Sequence, residues 1–400
     1  MLSMLLIGAA LAQDGAPVVA LEALSLASDS GCTELPEAQV PRVLRTTRGL
    51  ALLREEGAYT FGCASDFGGD PDAPAASSPD GRELLVAGDG GVWYSANAGC
   101  NPVPIDVGAG EPVDALYWRQ AFWVIQRDFG AGESRLLRID AGTPTTVLTW
   151  TDFHPDGMAP EDTEYLWLAG VTPSVQVRRV GFLGGLTGDV PLLPLPEDIR
   201  DVEHVEPRGG RNGEAWLVVS RRQSEWTWFG EELPNGEVRI RDTGERPRTV
   251  LGPAWYQGRW MAAFDLMLQT SQVGDGGWTP SGDRVSWTCL QDVGEHTFAC
   301  TVEAFLSLTG ALPPTETEVF RAVQLAGPEP ACAPSVTCDD DWADVVAMEA
   351  LDPENQAVCP DGRTLEDLEG PACTCRHAQT PWWAVLLVPW LHRRRSRRGR

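Results

Sequence analysis

The side chains of this chain most suited to chemistry are its ten cysteines, five histidines and many carboxylates. An even cysteine count is the mark of a disulfide framework, provided the chain leaves the cytoplasm. Cys289 and Cys300, with ten residues between them across a predicted hairpin, are the first pair expected. Cys332, Cys338 and Cys359 cluster with Cys373 in a Pro- and Asp-rich stretch too poor in apolar residues to hold itself together, so cross-links are expected there. Zinc fits poorly, because no C-x-x-C pair is present and the histidines are scattered. His154, His204 and His296 each offer a general base, yet none stands beside a nucleophile motif. There is no G-x-S-x-G, no H-E-x-x-H and no phosphate loop. Asp66, Asp70 and Asp72 read as turn acids, and Cys338 to Asp344 as half a calcium loop lacking its central Gly and final Glu. No catalytic residue, cofactor or metal is expected.

Charge narrows the partners. The chain carries 57 acids against 31 bases, all arginine, for a net charge of −26. Such a balance excludes a general nucleic-acid binder, which must neutralise phosphates. Eight arginines fall between Arg208 and Arg248, where the ordinary reading is solvated strand faces paired with Glu225, Glu237 and Asp242. With 43% apolar residues and 16 tryptophans the chain can bury a large core.

The two ends imply export. Residues 1–12 (MLSMLLIGAALA) are small and apolar, end in an A-x-A at Ala12 and turn polar at once, as a secretory signal does, although no base precedes the apolar run. At the other end Cys373 and Cys375 precede an 11-residue apolar run, 381–391, and six terminal arginines. As a helix that run spans about 16 Å, against about 30 Å of hydrocarbon, so it suits transient insertion better than a permanent anchor. The order of Cys motif, apolar segment and Arg cluster resembles the myxobacterial sorting tail called MYXO-CTERM. The resemblance covers residues 373–400 and implies processing at Cys373 or Cys375 by a membrane-embedded sorting protease after passage through the secretion machinery, with display on the cell envelope. An inner-membrane tail anchor or a periplasmic protein is the alternative. Seven arginines and no acid lie at or beyond Arg376, so the displayed body would hold 24 arginines against the same 57 acids.

Between these ends short apolar runs alternate with Gly, Pro and Asp punctuation, the pattern of half-buried strands. Paired runs begin near Gly49, Arg82, Val113, Glu164, Glu214, Pro253 and Arg284, and Trp118, Trp167, Trp216 and Trp260 recur at intervals of 49, 49 and 44 residues. Four-stranded propeller blades need about 40–50 residues each. An all-β propeller of seven blades is therefore expected, with six or eight also allowed and a β-sandwich array as the alternative. Ser95, Asn97 and Gly99 resemble a degenerate Asp-box of sialidase-type propellers, with Asn97 in place of the Asp, Asn101 of the Thr and Pro102 of the Trp. The resemblance implies a structural turn, with an Asx-type bond from Asn97 and a positive φ at Gly99.

These readings divide the chain into a signal (1–12), an N-terminal segment (13–41), a propeller (42–326), a Cys/Asp/Pro-rich spacer (327–372) and the sorting signal (373–400). The function expected is a non-enzymatic scaffold or binding protein of the envelope, taking glycan or protein ligands at the propeller face, where exposed Trp would stack on sugars. The alternative is a surface glycoside hydrolase or lyase, which requires a carboxylate pair with Arg or Tyr near the propeller axis. A self-assembling coat protein is a third class.

Overall fold

In the second strands of the repeating units the sequence is apolar on both faces, as in Leu84–Gly88 (LLVAG) and the first five residues of Ala121–Asp128. A strand reads this way only when protein covers both sides of its sheet. The computed structural model shows the cause. It describes residues 22–23, 338 and most of 43–321, with short gaps inside the last range. The described strands form seven four-stranded antiparallel sheets, spanning residues 22–63, 75–105, 111–150, 157–189, 204–242, 250–284 and 289–321. Each sheet is a simple meander in which consecutive strands pair. Adjacent sheets meet through their first strands: Ala75–Ser77 against Glu111–Trp118, then Gly157–Pro160, His204–Arg211, Val250–Tyr256 and Cys289–Val293 in turn. The ring closes where Glu22–Ala23, first strand of the first sheet, touches Cys289–Val293 and His296–Cys300 of the seventh. The fold is a β-propeller, as the spacing anticipated.

The core sits between sheets. Leu116, Trp118, Trp123 and Ile125 of the third sheet interlock with Leu166, Leu168, Val180 and Phe182 of the fourth. Trp167 of the fourth packs with Val205, Leu217, Trp226 and Trp228 of the fifth. Fourth strands mostly face water and lose the apolar pattern: in Thr143–Trp150 (TPTTVLTW) only Trp150 is buried, whereas Tyr59–Cys63 of the first sheet is buried throughout.

Two sequence expectations change. The propeller does not start at residue 42, because its first strand, Glu22–Ala23, lies in segment 13–41. The expected unit starts fall one strand late in the second, fourth and fifth sheets, where Arg82, Glu164 and Glu214 sit at or just before second strands, and two strands late in the first, where Gly49 opens the third strand. First strands are short, or bulged at Pro207/Gly209 and Leu251/Ala254, and lack the alternation that reveals a strand. Trp118 is likewise out of phase, closing a first strand, whereas Trp123, Trp167, Trp216 and Trp260 all occupy second strands.

Cys289 and Cys300 are direct cross-strand partners joined by a disulfide, with Cα atoms 4.8 Å apart. Cys338 does not pair within its own stretch. It is bonded to Cys63, 275 residues away, at the end of the fourth strand of the first sheet, Tyr59–Cys63. Both sulfurs are buried, so at Cys338 the spacer is part of the propeller wall. Cys100 is disulfide-bonded as well. The signal with Ala12, Cys332, Cys359, Cys373, Cys375 and the sorting segment 373–400 lie outside the described residues. No described helix is long and apolar enough to cross a membrane.

Candidate functional site

First strands ring the axis and leave a cavity of about 550 Å³ between them, reached by Ala75, Asp114, Met158, Glu206, Val250 and Leu290 from six of the seven sheets. Among the described residues, three carboxylates and one guanidinium line it: Asp114, Glu206, Glu225 and Arg208.

Asp114 stands in Glu111–Trp118. Its Oδ1 accepts the Ala115 N–H at 2.8 Å, and its Oδ2 accepts the Met158 N–H at 2.8 Å from the neighbouring sheet. No cation lies within ion-pair distance of it among the described residues. Burial pushes the carboxyl up to about 7; the Met158 N–H works against this, the Glu206 charge adds to it, and Ala115 and Arg208 oppose it weakly.

Glu206 is on His204–Arg211, where His204, Glu206 and Arg208 alternate along the strand. Its Oε2 lies 2.9 Å from Arg208 and 3.7 Å from the His204 Nε2. Burial works to raise the Glu206 carboxyl, but Arg208 and His204 outweigh it and hold the group below the usual range. The bond to Glu206 raises His204 in return, against burial and with help from the Glu206 and Asp156 charges. Between the two acids sits Gly157: a β-carbon there would stand 3.3 Å from Glu206 Cγ and 3.8 Å from Asp114 Oδ2. The missing side chain leaves the two carboxyls facing one gap. Beside it, Arg127 pairs with Asp156 at 2.6 Å and donates to the His154 and Pro155 carbonyls, holding the chain that enters Gly157–Pro160. Glu225 accepts the Val250 N–H at 2.6 Å.

At neutral pH this arrangement sets a carboxyl that is half protonated opposite one that is fully ionised. It can donate a proton, accept one, or hold a positive charge.

Other expected residues are placed elsewhere. His154 Nδ1 is 2.7 Å from Ser134 Oγ, but Ser134 is wholly buried and no substrate reaches it. Arg239 and Arg241 pair with Glu231, Arg246 with Asp242 and Arg222 with Glu203. Solvated pairing therefore holds for these four, though Glu225 and Glu237 are not their partners. Arg208 departs from the group by facing the axis. At the degenerate box, Ser95 rather than Asn97 makes the turn's side-chain bonds, accepting the Asn97 N–H at 3.2 Å and donating to the Cys100 carbonyl at 2.6 Å. Gly99 there has φ +82°. No described tryptophan is fully exposed, and Trp93, Trp255 and Trp278 are half-buried. Cys63, Asp66 and Cys338 lie within metal-ligand reach of one another, but the two sulfurs are spent in a disulfide and offer no thiolate.

Sequence reasoning missed Asp114 and Glu206. For Glu206 the signal was legible: His204-x-Glu206-x-Arg208 is a charged alternation that puts three ionisable groups on one face of a strand. For Asp114 the hint was a lone acid inside the apolar run from Val113 to Trp118.

Fold and site together define a β-propeller with an ionisable axial cavity. No protein-family model and no curated protein sequence matches the chain. Among solved structures it is similar to the dihydro-heme d1 dehydrogenase NirN (13% identity, TM-score 0.46, covering 74% of this chain and 65% of that one). It is also similar to a Lactobacillus plantarum protein (14%, 0.42, 62% and 81%) and to a chain of a nidogen/laminin complex (10%, 0.38, 61% and 96%). At such TM-scores the activities of those proteins have no bearing on this one.

Proposed function

We propose that this chain is an exported, envelope-displayed binding protein: a propeller whose axial cavity takes a ligand, carried to the surface by the secretion machinery and processed at Cys373 or Cys375 by a membrane-embedded sorting protease. The observation that carries this reading is the disulfide set built into the propeller wall, Cys63–Cys338 and Cys289–Cys300, because such bonds persist in oxidising compartments. The apolar leader ending at Ala12 and the three-part tail support it independently. The test is protease shaving of intact cells expressing the full chain or one lacking residues 381–400. Display predicts that the full chain is cleaved from outside and that the shortened one is not retained on the surface. A full chain protected until the outer membrane is opened would overturn it.

A second reading, a surface glycoside hydrolase or lyase, is favoured by the Asp114–Glu206 pair, whose protonation states are pushed apart as an acid and a base require. Release of new reducing ends from envelope polysaccharide, abolished by Asp114→Asn, would favour it over binding alone.

A further inference from the structure

Among the described residues of the axial cavity, Asp114 faces a second carboxylate with no cation at hand. Among the described carboxylates around it, Glu206 has Arg208 and His204 and Asp156 has Arg127, whereas Glu225 accepts the Val250 N–H. Asp114 accepts two backbone N–H groups, yet meets no cation and faces the Glu206 charge across the Gly157 gap. An enclosed carboxylate without a counter-ion is expensive to keep ionised. A mobile cation entering the gap would lie between two carboxyls, with apolar contact from Met158, Pro160, Pro207 and Leu251 for a hydrocarbon stem. A volume of about 550 Å³ falls within the range of small-ligand sites.

We propose that the axial cavity binds an alkyl-ammonium group between Asp114 and Glu206, with its stem against the apolar cavity wall. The inference deepens the binding reading of the cavity and does not depend on display at the envelope. Two sources share this chemistry, a free amine and the lysine side chain of a protein partner.

Arg208 tempers the site. Its guanidinium holds Glu206 at 2.9 Å, so it competes with the incoming ammonium for the same oxygen. Protonation gates the site as well. Asp114, with its carboxyl near 7, is about one-tenth ionised at pH 6 and about nine-tenths at pH 8, a tenfold change in the competent form. His204, whose proton is held by Glu206 and which also feels Asp156, adds a positive charge on the acid side and acts in the same direction. Arg127, neutralised by Asp156, contributes little net charge.

The experiment is isothermal titration of the full chain with 1,4-diaminobutane and, separately, with Nα-acetyl-lysine amide, at pH 6, 7 and 8, in two buffers of different ionisation enthalpy at pH 7. The expected result is saturable binding by at least one probe, about tenfold tighter at pH 8 than at pH 6, with release of a fraction of a proton at pH 7. Asp114→Asn should lose both the affinity and the proton release. Arg208→Gln should bind more tightly than wild type, a gain that a misfolded variant could not produce. Binding of the diamine alone identifies a small-molecule ligand, and binding of the lysine amide identifies a partner's side chain; either supports the site. No saturable binding of either probe, affinity unchanged by pH, or affinity unchanged in Asp114→Asn overturns it. Because none of these measurements involves the cell surface, failure here leaves envelope display standing, and failure of display leaves the cavity site standing.

Discussion

Replacing Asp114 by Asn tests the electrostatic description of the axis through stability alone. The folded protein holds the Asp114 proton up to about pH 7, whereas an unfolded aspartate releases it near 3.8. A group whose folded value is raised stabilises the native state fully below its unfolded value, and that stabilisation is lost as pH rises through the folded value. The window is therefore pH 4 to 7. Three units at about 1.4 kcal/mol each give a ceiling of about 4 kcal/mol, and water entering the cavity reduces the realised figure to about 2 kcal/mol. Asparagine never ionises, so it escapes this loss. It has only one acceptor oxygen, however, and must abandon either the Met158 or the Ala115 N–H, which costs about 1 kcal/mol at every pH. The two effects cross. Wild type should be the more stable by about 1 kcal/mol below pH 4 and by only about 0.3 kcal/mol at pH 5, and the variant by about 1 kcal/mol at pH 8. Urea unfolding of both proteins at pH 5, 6, 7 and 8 reads the difference directly. A gap that stays constant across that range would refute the assigned environment of Asp114.

Three further perturbations address what holds the ring. Removing the Cys63–Cys338 bond by the double change to serine frees a loop of some 275 residues, for an expected loss of about 5 kcal/mol and a fall of about 8 °C in Tm. Glu161→Gln strips the buried Arg179 of its bidentate partner, with N–O contacts of 2.7 Å, and should destabilise by about 3–5 kcal/mol in chemical denaturation; an effect under 1 kcal/mol would mean Glu232 suffices to hold that guanidinium. Gly99→Ala forces a β-carbon onto φ +82° and to 2.6 Å from Leu52 Cδ1, so a loss of about 1–3 kcal/mol is expected; a neutral result would show the turn to be free to reshape.

The propeller was legible because its second strands are covered on both faces. Runs such as Ala121–Asp128 and Glu214–Arg221 stand out against polar fourth strands, and tryptophan returns at the same place in each. The first strands were not legible. Glu22–Ala23 and Ala75–Ser77 are two and three residues long, and His204–Arg211 contains proline, two glycines and a bulge. Those strands build the axis, so the site they carry was hidden with them. Asp114 and Glu206 are 92 residues apart in sequence, and only the side-by-side packing of three successive first strands sets them across Gly157. The same holds for disulfides. Cys289 and Cys300 are joined within one hairpin and could be paired by spacing, whereas Cys63 and Cys338 meet only because the chain returns past its last strand to the first sheet.

The intact mass of the protein recovered from its native envelope bears most directly on the account as a whole. Export and sorting predict a mass lacking residues 1–12 and the segment beyond the Cys373/Cys375 motif, with the propeller disulfides intact and any lipid addition visible as extra mass. A full-length mass of 43.3 kDa, with both ends retained, would contradict surface display.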